Sequence, residues 1–208
     1  MDFARLVENT ADLHCFSPGM VTAGENLNQV RVQLSRWALS GRVIRIHKGW
    51  YTVGEPYRRV RIDLNVIACT VKAGTYVSLE SALSFHGAIP EYVPQTTCVT
   101  TGRPATLHTP FGRIRYRHIK NEAFFGYSRY ESGAQSAYIA EPEKALLDLL
   151  YLTPGSEDAD YLAELRLQGT ERFDPETMRR MAERLRSPRL VRSVELLGNL
   201  IAHGAVGP

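Results

Sequence analysis

The sequence predicts an α+β chain: a small N-terminal module of helices closed by a two-stranded ribbon, then a mixed domain with a mainly antiparallel sheet and C-terminal helices. Three observations lead there. Between Asn26 and Val53 the apolar residues recur first at helical spacing and then at period two; beyond Pro56, short β-branched runs are separated by Gly and Pro; from Pro142 onward the spacing is helical again. With 208 residues and 44% hydrophobic content, the chain can bury one sizeable core and one small one, which predicts two domains, 1–55 and 56–208, divided at Gly54-Glu55-Pro56.

Phe3, Leu6 and Val7 predict a first short helix, and Ser17-Pro18 a cap and first-turn proline opening a second through Val21. In the third, Val30, Leu34, Trp37 and Ala38 form the buried stripe, Asn26 or Asn28 can cap the start, and Gly41 stops it. The ribbon then alternates, with Val43, Arg45 and His47 on one side and Ile44 and Ile46 on the other, turns at Lys48-Gly49 and returns through Trp50 to Val53. Helix, helix, reading helix and wing together make a winged helix-turn-helix.

The residues left facing outward suit duplex DNA. Gln can pair with adenine and Arg with guanine in the major groove, and an apolar group can meet the thymine methyl. Asn28, Gln29, Arg31, Val32, Gln33 and Arg36 are therefore the candidate contacts of the helix, with Arg42, Arg45, His47 and Lys48 set near phosphates. Either element alone would pass for a solvated amphipathic surface; the pair together points to DNA. Charge agrees: from Arg31 to Arg61 the cations are Arg31, Arg36, Arg42, Arg45, Lys48, Arg58, Arg59 and Arg61 against the single anion Glu55, although the whole chain is only +3.

After the boundary, Val60, Leu64, Ile67, Ala68 and Val71 predict a helix ending at Ala73-Gly74 that could join the domains as a rod. Ser78 is set to cap a short helix through Leu79, Ala82, Leu83 and His86. Strands are predicted at Gln95 to Thr101, Thr106 to Thr109, Arg113 to Ile119 and Ser136 to Ile139, joined too tightly for crossover helices. A nearly all-core helix opens at Ala140-Glu141-Pro142-Glu143, and three more follow: Ala159 to Gln168, Pro175 to Arg186 after Asp174, and Pro188 to His203 after Ser187. The last of these carries a Leu190, Val191, Val194, Leu197, Ile201 stripe, expected to pack within the domain rather than across a two-fold axis.

Two clusters invite other chemistry. Arg113, Arg115 and Arg117 alternate along one strand, so three guanidinium groups share a face; this is either a second nucleic-acid surface or a solvated face neutralised by acidic helices. Glu141, Glu143, Lys144 and Asp148 have the composition of a metal-dependent nuclease set, but they sit at a helix start, where acidic residues are expected for the dipole alone. An enzyme is not expected. Cys15, Cys69 and Cys98 show no CxxC, the six histidines show no ligand spacing, and phosphate-binding glycine motifs are missing, so neither metal nor cofactor is expected. No apolar run is long enough to cross a bilayer, and MDFARLVENTADLH lacks the order of a secretory signal, which predicts a cytoplasmic protein.

GRVIRIHKGWYTV, TYVSLESALSFHGAIPE, TPFGRIRYRHI, FFGY and IAEPEKALLDLLYL, taken in that order, resemble the AbiEi-type antitoxins of abortive-infection systems, from about Asn28 to about Leu167. The resemblance implies a repressor that binds inverted repeats in the promoter of a two-gene operon; the docking geometry of a reading helix would set two copies on two half-sites. It also implies a role against a nucleotidyltransferase toxin encoded beside it, in phage defence, without any need to grip that toxin directly. On the matching positions, Gln29, Arg31, Arg36, Arg45 and Lys48 would touch the operator. Trp37-Ala38-Leu39-Ser40 departs from the pattern, which leads one to expect more basic residues there. The same residues would also serve a regulator with no toxin partner.

Overall fold

Two apolar clusters organise the computed structural model, which describes residues 1–22, 24–90 and 93–203. The smaller is built by α1 (Phe3–Thr10), α2 (Pro18–Val21), α3 (Leu27–Leu39), β1 (Val43–His47) and β2 (Trp50–Val53). Leu6, Phe16, Val21, Val30, Leu34, Trp37, Val43, Tyr51 and Val53 close its core. Asn26, and not Asn28, is the N-cap of α3, its side chain accepting from the Asn28 N–H at 2.9 Å. Gly41, at φ +73°, takes the left-handed conformation that stops the helix.

The ribbon departs from simple alternation. A bulge between Arg45 and His47 shifts the register; Val43 faces the small core, Ile46 enters the large one, and Arg45 and His47 stay exposed. With Trp50 also packed against the large core and β1 lying against β5, the hairpin is anchored along its length, not free as a flap.

The larger unit adds α4 (Leu64–Val71), β3 (Thr75–Val77), α5 (Leu79–Phe85), β4 (Gln95–Thr100), β5 (Ala105–Thr109), β6 (Gly112–His118), β7 (Tyr127–Ser132) and β8 (Gln135–Ala140). The helices α6 (Pro142–Leu152), α7 (Ala159–Glu164), α8 (Pro175–Arg184) and α9 (Pro188–Ala202) complete it. The strands form one sheet in the order β5-β6-β4-β3-β8-β7. Three pairings are antiparallel and two, β4 with β6 and β3 with β8, are parallel. Strand β5 folds back on the outer side of β6, so β4 and β6 can run the same way without a crossover helix. Among the described residues no helix is long and apolar enough to cross a membrane.

Two expectations are corrected. Helix α4 begins at Leu64 behind the cap Asp63, and Val66, Ile67 and Ala68 bury it against the sheet; residues 54–63 are a strap, tied by the Arg59 N–H to the Ala11 carbonyl at 2.9 Å. A short helix sunk in a core cannot be a connecting rod. Ser78 precedes α5 but makes no side-chain cap, because its hydroxyl donates to Asp148 Oδ2 at 2.7 Å.

That carboxylate is the centre of a dry polar cluster. Lys144 and Asp148, one turn apart on α6, are both fully buried and form an ion pair. Tyr76 Oη donates to Asp148 Oδ2 at 2.8 Å, and the Lys144 ammonium lies over the rings of Tyr76 and Phe125, at 5.5 and 4.9 Å from their centroids. Burial pushes the Asp148 carboxyl up and the Lys144 amine down, while each partner favours the charged form of the other. Asp148→Ala leaves a buried ammonium unpaired and should cost about 3–5 kcal/mol in urea unfolding. The double change Lys144→Met with Asp148→Leu should cost clearly less; an equal or larger loss in the double variant would contradict this account of the cluster.

Candidate nucleic-acid interface

Helix α3 stands on Val30, Leu34 and Trp37, and this footing decides which residues face outward. Asn28, Gln29, Arg31, Val32 and Arg36 are exposed, and Gln33 is half-buried at the edge of the stripe. Val32 is 52% exposed in the middle of this polar face, and Leu39 is 91% exposed at its end. The face carries its own internal bonds: Ser35 Oγ donates to the Arg31 carbonyl at 2.9 Å, and Arg31 Nη1 reaches Asn28 Oδ1 at 3.5 Å. Arg42, Arg45, His47 and Lys48 are exposed on the ribbon. Arg42 is engaged within its own unit, its guanidinium 5.3 Å from the Phe3 ring centroid. Among the described residues, Arg31, Arg36, Arg45 and Lys48 form no ion pair with a carboxylate.

Three exposed apolar side chains on the same unit, Met20, Leu27 and Leu39, were not among the residues the sequence pointed to. Leu27 is the first residue of α3 and Leu39 the last, outside the regular stripe, so periodicity gave no signal for them.

The seam that holds this unit to the sheet was also not foreseen. Gln135, at the start of β8, accepts at Oε1 from the His14 and Cys15 N–H groups at 2.7 and 3.1 Å, and its Nε2 donates to the Cys15 carbonyl at 2.8 Å. His14 is buried between Ser132, whose carbonyl lies 3.1 Å from Nε2, and the Asp63 N–H, which donates to Nδ1 at 3.2 Å. Cys15 belongs to the large core and Phe16 to the small one, and Phe16 pairs with Tyr51 through two backbone bonds of 2.8 and 2.9 Å. The chain approaches so closely here that a Cβ on Gly133, which sits at φ +58°, would stand 2.9 Å from the Asp12 carbonyl.

The basic strand is divided by the fold. Arg113 and Arg115 are exposed, but Arg117 is half-buried and its Nη2 donates to the Leu152 carbonyl at 2.6 Å. Arg189 takes the neighbouring Tyr151 and Thr153 carbonyls, both at 2.8 Å. Two guanidinium groups thus satisfy the C-terminal carbonyls of α6, where positive charge also favours the helix dipole. Burial, and then the adjacent Arg115, lowers the Arg117 pKa. The expected face of three free guanidinium groups is therefore reduced to two, because one is drawn to the helix end.

The fold divides the acidic cluster. Lys144 and Asp148 are buried, Glu141 stands at the N-cap position of α6 without a side-chain cap, and Glu143 Oε1 accepts from the Asp174 N–H at 3.3 Å. Among the described residues no three His, Cys, Asp or Glu side chains are grouped so as to hold a metal ion.

Neither a protein-family model nor a curated protein matches the chain. Among solved structures, the RV2827C protein from Mycobacterium tuberculosis shares its fold, with a TM-score of 0.57 and 14% identity over 94% of this chain and 75% of that one.

Gln135→Leu strands two N–H groups and one carbonyl at the seam, at a cost of about 1–3 kcal/mol. Hydrogen exchange should report it as faster exchange of the His14 and Cys15 amides with little change in the β4 and β6 amides. Unchanged exchange at residues 14 and 15 would show that Gln135 does not hold the seam.

Proposed function

We propose that the chain is a transcriptional repressor that binds double-stranded DNA, in which α1 to β2 act as a winged helix-turn-helix and α3 is the reading helix. The observation that carries this reading is the outward face of α3, where Gln29, Val32 and Arg36 lie exposed together; Arg31 on the same helix and Arg45 and Lys48 on the ribbon are also exposed and, among the described residues, form no ion pair with a carboxylate. Gln, Arg and an apolar group are the side chains that distinguish adenine, guanine and the thymine methyl. Two copies on a palindromic operator would bring two such helices into successive major grooves and exclude polymerase.

The anchored hairpin refines the role of the wing. Arg45, His47 and Lys48 would meet phosphates from a fixed position, since Ile46 and Trp50 hold the ribbon against the large core. Arg113 and Arg115 remain a candidate second basic surface. The antitoxin role follows from the AbiEi-like motifs, and its test is rescue of growth when a neighbouring nucleotidyltransferase is expressed. A nuclease centre on Glu141, Glu143 and Lys144 is disfavoured by the complete burial of Lys144.

Arg36→Ala should weaken operator binding by about 1–3 kcal/mol and relax base preference, whereas Lys48→Ala should weaken all DNA alike and lower the salt slope by about one. Titrations on operator and scrambled duplexes over a range of salt separate the two. The same loss from both variants on every sequence would contradict the division between reading and gripping residues.

A further inference from the structure

Two of the cysteines, far apart in the chain, meet in the fold. Helix α4, which carries Cys69, packs on β4, which carries Cys98; Tyr116, paired with Cys98 on the neighbouring strand, donates from Oη to the Ala68 carbonyl at 2.8 Å, so Cys98 faces α4 beside Cys69. They differ in access: Cys98 is fully buried, while Cys69 is only half-buried and its thiol also donates to the Tyr138 carbonyl at 3.7 Å. A half-buried thiol backed by a hidden one is the arrangement of an attacking and a resolving thiol.

We propose that Cys69 and Cys98 are an oxidation site at which hydrogen peroxide forms an internal disulfide, with Cys69 the attacking sulfur and Cys98 the resolving one. In the first step the Cys69 thiolate attacks a peroxide oxygen. The S–O bond forms, the O–O bond breaks, and the departing hydroxide leaves as water after taking a proton, so Cys69 becomes a sulfenic acid. In the second step the Cys98 sulfur attacks Cys69, the S–S bond forms and the S–O bond breaks, and the expelled hydroxide takes the Cys98 proton. Two thiols and one peroxide give one disulfide and two waters; the sulfurs lose the two electrons that the peroxide gains.

The surroundings favour this order. Hydrogen bonding from Cys98 chiefly, helped by Tyr138, Thr75 and Val77 and opposed by burial, brings the Cys69 thiol down to about 7. Burial holds the Cys98 thiol well above its ordinary value, and burial also pushes Cys15 up to about 12. Cys15 has other partners, the Thr70 and Gln135 side chains, and takes no part.

The test uses the full chain, reduced, exposed to near-stoichiometric hydrogen peroxide, then alkylated and mapped by mass spectrometry. The expected product is a peptide linking Cys69 to Cys98, with the intact mass lower by two hydrogens and Cys15 still alkylated after unfolding. In Cys98→Ser, dimedone should trap a sulfenic acid on Cys69; in Cys69→Ser, Cys98 should stay reduced. Because a change at the buried Cys98 can unfold the chain, alkylation of the folded wild type is a separate measure. Iodoacetamide should modify Cys69 at least about tenfold faster than Cys15 or Cys98, at a rate that climbs through neutral pH. A map without the Cys69 to Cys98 link, separate oxidation of the two sulfurs, or a Cys69 rate no greater than that of Cys15 would overturn the assignment.

Discussion

The structure depends on how residues 14–16 are held. This short segment passes from one core to the other, and a segment that does so exposes backbone groups to neither water nor a regular ladder. One side chain, Gln135, supplies partners for two N–H groups and a carbonyl, while Phe16 pairs with Tyr51 on the opposite side. The small unit and the sheet are thereby joined through a buried seam. The bulged hairpin repeats this logic, with Val43 in one core and Ile46 in the other.

Much of this fold was legible because its signals are local. Helices α3, α6, α8 and α9 announce themselves by apolar spacing and by Asn26, Pro142, Asp174 and Ser187 at or beside their starts. What was not legible is non-local or lacks period. Strand β3 has three residues, all buried, so no alternation exists to be read; β7 is a polar edge strand. Val60 has helical spacing from Leu64 but belongs to the strap, because Asp63 takes the cap position and ties the chain to His14. The parallel pairing of β4 with β6 depends on where β5 is placed, which no single segment encodes.

The site divides the same way. The outward set on α3 follows from periodicity, and the exposed face agrees with it except at Gln33, which is half-buried. On the ribbon, alternation puts Arg45 and His47 on the side of Val43, but only Val43 is buried there. Arg117 looked equivalent to Arg113 and Arg115 in sequence; the end of α6 makes it different by offering a carbonyl. Lys144 and Asp148 stand at the spacing of an ordinary surface pair on a helix, and only the third dimension puts Tyr76 and Ser78 around them.

We propose duplex DNA as the partner of the exposed α3 face, where Gln29, Val32 and Arg36 lie together. Nuclease footprinting of the purified chain on the DNA upstream of its own gene, at low ionic strength, tests that claim most directly. The account predicts two protected half-sites about one helical turn apart, or a multiple of it, with protection lost as salt is raised. Uniform cleavage across that DNA at protein concentrations that saturate ordinary repressors would contradict it.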